Sequence, residues 1–132
     1  MKTEIFTLCD SAVEYNGKAV IVGTINDVNG TSYPLTIPSV SLFARVAFEP
    51  EESADSTLSV LGYNVDDPEL VITRFVFPLK VSPSPNNRMN YINIILKLDG
   101  LHIPKQGVYC FELKTPDWSD KIVLYANLVN PQ

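Results

Sequence analysis

The chain of 132 residues has one histidine, one tryptophan and two cysteines. Each scarcity excludes a class of chemistry. Cys9 and Cys110 lie at opposite ends of the chain, and neither has a second cysteine nearby. That spacing rules against a structural zinc site, which needs clustered Cys and His ligands. Two packed thiols or a bridge between the first and seventh strands both remain open. Any hydrolytic triad would have to use His102, in Leu101-His102-Ile103-Pro104. No serine stands on a Gly-flanked elbow. Cys9, the thiol to set against His102, falls in a strand pattern where a thiol is usually inert packing. Gly23, Gly30 and Gly62 are isolated, so no glycine-rich loop cradles a phosphate, and no cofactor is expected.

Positive charge is also scarce. Ten Lys and Arg stand against fifteen Asp and Glu, a formal net charge of -5. The cations are spread along the chain. A nucleic-acid partner needs a basic face to displace counterions, and an anionic membrane surface needs the same, so neither is expected. No apolar run approaches a membrane span. The first ten residues are broken by Glu4 and Asp10 and do not read as a secretory signal. The expectation is a cytoplasmic protein.

Amphipathic helices are missing too, and what replaces them is alternation. Leu42, Ala44, Val46 and Phe48 share one face of an extended segment, as do Ile92, Ile94, Leu96 and Leu98, and Ile122, Leu124, Ala126 and Leu128. A period of two gives each segment a face to bury against another layer. Eight strands are predicted, at about 4–15, 18–28, 40–48, 56–64, 70–81, 89–98, 107–114 and 121–129. Asn16-Gly17 between the first two suits a type I′ hairpin turn. Pro34 and Pro38 mark an extended loop over 29–39. Gly23 and Gly62 inside strand patterns predict bulges or close backbone approach. Ser82-Pro83-Ser84-Pro85-Asn86-Asn87 reads as a loop within one domain spanning 1–132, not as a boundary. With no helix to cover a sheet, the fold class is all-β: an antiparallel β-sandwich of about eight strands, connected as a jelly roll or Greek key.

Three stretches carry a resemblance. They are Leu8-Cys9-Asp10-Ser11-Ala12 with Asn16-Gly17-Lys18 and Ile21-Val22-Gly23-Thr24-Ile25; after Pro34 and Pro38, Leu42 to Phe48 followed by Glu49 to Glu52; and Gly107-Val108-Tyr109-Cys110-Phe111-Glu112-Leu113. In this order they resemble a family of uncharacterised bacterial proteins of about this length, catalogued as a domain of unknown function. The resemblance implies a compact bacterial β-domain. It implies no activity and no catalytic residues.

Two candidate sites follow from the residues themselves. If successive connections alternate between the ends of the sandwich, the first, third, fifth and seventh share one end. That end would gather Glu49, Glu51, Glu52, Asp55, Asp117 and Asp120, and loop carboxylates of this kind can hold calcium or another hard cation. Trp118, in a polar turn beside them, would be either packing or an interaction anchor. The leading functional expectation is a non-catalytic binding or assembly module with a protein partner, or self-association as a homodimer. A cation-dependent binding domain is the alternative, and a small enzyme comes last.

Overall fold

A computed structural model describes residues 1–130, and among them there is no helix. Eleven strands follow in chain order: β1 (Lys2–Tyr15), β2 (Lys18–Ile25), β3 (Asp27–Gly30), β4 (Leu35–Ile37), β5 (Ser41–Phe48), β6 (Ala54–Asn64), β7 (Val71–Val81), β8 (Asn90–Lys97), β9 (Leu101–Ile103), β10 (Gly107–Thr115) and β11 (Trp118–Leu128). The eight predicted strands correspond to β1, β2, β5, β6, β7, β8, β10 and β11. The three additions are short and come from segments read as connections or strand ends.

Two sheets form the body. One has the order β2-β1-β5-β8 and the other β3-β11-β10-β6-β7; β4 and β9 make a separate two-stranded pair. The strand β5 returns beside β1 rather than β2, a Greek-key-like step. The antiparallel expectation holds except at one place. The second strand ends at Ile25, and β3 pairs parallel to β11 in the opposite sheet.

Alternation explains why the sheets stack. Leu8, Leu42, Ala44, Val46, Phe48 and Ile94 face inward from one sheet. Leu58, Val60, Tyr109, Phe111, Leu113, Leu124 and Ala126 meet them from the other, and all belong to one buried cluster. Each large side chain removed from water contributes about 1.5–3 kcal/mol. Gly62 lies inward on β6, at the register shift between Gly62 and Tyr63. A Cβ there would stand 2.8 Å from Thr73 Cγ2 and 3.0 Å from Phe111 Cε1, so close packing requires glycine.

A second, smaller cluster lies on the outer face of the four-stranded sheet. Phe43, between inward-facing Leu42 and Ala44, points the other way, yet it is fully buried. The N-terminal hairpin covers it. Asn16 and Gly17 both have positive φ at the turn, as a type I′ turn demands. Gly23 has φ +66°, and a Cβ there would meet the Asp10 carboxylate. Beyond this bend, Ala12 and its register partner Ile21 pack on Cys9, Phe43 and Ile95. Glu14 near the turn accepts a hydrogen bond from Asn93 Nδ2 on β8 at 3.5 Å. The hairpin thus folds back over its own sheet. Alternation counted along the whole of β1 and β2 puts their far halves on the wrong face, because the bend intervenes.

Candidate functional site

The two sheets do not close on each other along one side. There β7 is the last strand of the five-stranded sheet and β8 the last of the four-stranded sheet. Consecutive in sequence, they border a groove of about 390 Å³. Its walls are Leu58, Phe77, Leu79, Ile92, Ile94 and Leu96, with Pro78, Lys80, Asn93 and Ile95 at the rim.

Local sequence sets this geometry. Val, Ile and Phe populate β7, and Tyr91, Ile92, Ile94, Ile95 and Leu96 populate β8, which suits a half-buried pleated surface. The connection between them is pinned outside any ladder. Ser84 N–H donates to Pro50 O at 2.8 Å, Arg88 N–H donates to Ser84 Oγ at 3.2 Å, and Asn90 Nδ2 donates to Ser82 O at 3.0 Å. Along β8 every residue from Asn90 to Lys97 is registered with β5 on one side. The other side of the β8 backbone has no strand beside it among the described residues. On the outer face next to this edge, Arg45 bonds Glu4 Oε1 at 2.9 Å and Asn93 Oδ1 at 3.3 Å, and stacks over the Tyr91 ring at 4.3 Å.

The acidic end is built differently from the expectation. Glu52, Asp55, Asp117 and Trp118 do line one cleft of about 560 Å³, together with Met1 and Leu79. Glu49 and Glu51 are exposed, and Asp120 bonds Thr3 Oγ1 from within β11. Glu52 is already engaged: the Met1 amino group donates to Oε1 at 2.7 Å and Glu49 N–H at 2.8 Å. Those bonds hold its carboxyl below the usual value of 4.5. Among the described residues no three His, Cys, Asp or Glu side chains come together as a metal group. Trp118 is the first residue of β11, half-buried against the main core while it lines the cleft. The first turn, Asn16-Gly17, belongs to the folded-back hairpin.

The family of unknown function DUF6941 matches residues 4–121. The chain belongs to this family. The DUF6941 match takes in all of β7 and β8, both walls of the groove and the acidic loops. No match was found among curated proteins.

Cys9 and Cys110 are both free and buried, on opposite sheets. Burial and the neighbouring Asp10 charge push the Cys9 thiol up, and its Sγ donates to Ser41 O at 3.6 Å. A buried, protonated thiol is a poor nucleophile. His102 is exposed on β9, opposite Thr36. Among the described residues, no helix is long and apolar enough to cross a membrane.

Cys110 has a different consequence. It faces Tyr63 across β6 and β10. A hydrogen bond with Cys110, then burial, then the Cys110 and Glu112 charges push the Tyr63 hydroxyl up to about 12. A raised folded-state pKa means the neutral phenol stabilises the fold below its ordinary value of 10, and this contribution is lost as pH rises toward 12. Alkaline absorbance titration should therefore show Tyr33, pushed up by burial, and above all Tyr63 ionising late. Cys110→Ala should bring Tyr63 back toward its ordinary range; an unchanged late titration of Tyr63 would contradict the pairing.

Proposed function

We propose that this protein is a non-catalytic binding or assembly module that engages a protein partner along the open side of its sandwich, in the bacterial cytoplasm. The groove between β7 and β8 supports this reading. An apolar trough between two sheet edges offers buried contact area and unpaired backbone groups together. Open edges carry an aggregation hazard, and folds that keep them usually cover them with something. A photo-reactive side chain at Leu96, on the groove wall, is expected to capture partner protein from native extract. The same group at Val123, on the outer face of the other sheet, is the control. Equal capture at both positions would contradict the reading.

Self-association is a second reading, favoured by a specific surface. Val13 and Val20 are register partners on the outward face of the hairpin, with Tyr15 and Val22 beside them, and all four are exposed. Apolar neighbours of this kind are a common basis for a symmetric dimer. Light scattering at high concentration tests it: a strict monomer would remove it.

A further inference from the structure

We infer that the free edge of β8 receives an extended, acidic segment of a partner protein as a fifth strand of the four-stranded sheet. The inference rests on the binding-module reading and adds the partner's conformation and charge.

Conformation comes from the edges. Sheet edges normally carry protections such as Pro, Lys, a bulge or short length. Among the terminal strands, β7 has Pro78, Arg74 and Lys80, β3 has four residues, and β2 is bent at Gly23. By contrast, Tyr91 to Leu96 in β8 has no charge, proline or glycine over six residues. An unprotected edge beside an apolar trough suits strand addition, where backbone hydrogen bonds supply affinity and alternate side chains fill the groove. Inward residues of the added strand would sit against Phe77, Ile92, Ile94 and Leu96.

Charge comes from the same two strands. Residues 70–98 contain Arg74, Lys80, Arg88 and Lys97 and no carboxylate. The remainder of the chain has six cations and fifteen carboxylates. Among the described residues, the ion pairs are Met1–Glu52, Arg45–Glu4 and Lys121–Glu112, so none of these four cations is engaged. Lys80 is on the groove rim and Lys97 ends β8. Asp55 is the register partner of Lys80, and Glu14 reaches Asn93. Lys97, at the end of β8 itself, is in no ion pair among the described residues. The charge an added strand would meet there favours an acidic segment over a second copy of the same edge.

Three synthetic peptides of about eight residues, the length of β8, test this. The first alternates valine with glutamate and the second valine with lysine. The third repeats the glutamate peptide with every backbone nitrogen methylated, which blocks both of its edges. Fluorescence anisotropy reads affinity, and amide hydrogen exchange reads location. The glutamate peptide is expected to bind at least about fivefold tighter than the lysine peptide, more weakly as salt rises, and to slow exchange along β8. Methylation is expected to abolish binding. The exposed pair Lys80→Gln and Lys97→Gln, which removes both charges without setting a second carboxylate opposite Asp55, should remove the preference without disturbing the fold. Equal binding of both charged peptides at β8 would overturn the inference while leaving the binding-module reading standing. Tolerance of methylation, protection elsewhere, no binding, or a β8 edge already protected in a dimer would each overturn it as well. Photo-capture at Leu96 decides the module reading separately.

Discussion

Phe111→Ala is expected to cost about 3–5 kcal/mol of folding stability, enough to lower the melting temperature by roughly 10–20 °C. Phe111 lies in β10, near the middle of the five-stranded sheet, with no exposed surface. Its ring also sits where a Cβ on Gly62 would be, so two central strands are fitted to it. Alanine loses the transfer energy of the ring and leaves a cavity that rigid neighbouring strands cannot collapse around. Thermal or urea unfolding of the purified variant measures the effect. A loss below about 1 kcal/mol would mean that the two sheets do not pack through this residue.

The second large effect is local. Phe43→Ala should lose up to about 3–5 kcal/mol, the ordinary cost of truncating a buried phenylalanine. The consequence differs because Phe43 belongs to the small outer cluster. Without the ring, Ala12 and Ile21 have little left to hold the folded-back hairpin. Amides from Ser11 to Val22 should exchange much faster, and limited proteolysis should cut near Asn16-Gly17, while β10 keeps its protection. If the variant instead destabilises the whole chain with the hairpin still protected, the hairpin is an integral layer and not a separately released cover.

Much of the architecture was legible because it depends on short-range pattern. Leu42, Ala44, Val46 and Phe48 alternate cleanly, and all four are buried in the core. The Asn16-Gly17 turn has the backbone its residues prefer. Gly23 and Gly62 both occupy positions where a side chain meets a neighbour. What escaped depends on distant partners. Leu35-Thr36-Ile37 between Pro34 and Pro38 is a strand because Leu101-His102-Ile103 pairs with it, and no local pattern announces that. Asp27 to Gly30 leaves one sheet for the other after Ile25, a choice made by β11.

The candidate sites divide the same way. Glu52, Asp55, Asp117 and Trp118 do share a cleft, as connections at one end of a sandwich would. Their chemistry could not be foreseen, because the Met1 amino group and Thr3 arrive from β1 and its N-terminal side to engage Glu52 and Asp120. The groove was missed for a subtler reason. Four cations spaced over residues 70–98 look scattered in sequence. The absence of any carboxylate among them was a readable signal. Only the placement of β7 and β8 as terminal strands of facing sheets brings two of these cations, Lys80 and Lys97, to the groove rim and the end of β8.

The central claim is that β8 keeps one side of its backbone open. Residue-resolved amide hydrogen exchange on the free protein addresses it most directly. Every second amide from Tyr91 to Lys97 should exchange quickly while amides of β5 and β10 stay protected. Slow exchange at all β8 amides, matching β5, would mean the edge is already paired and would contradict the account.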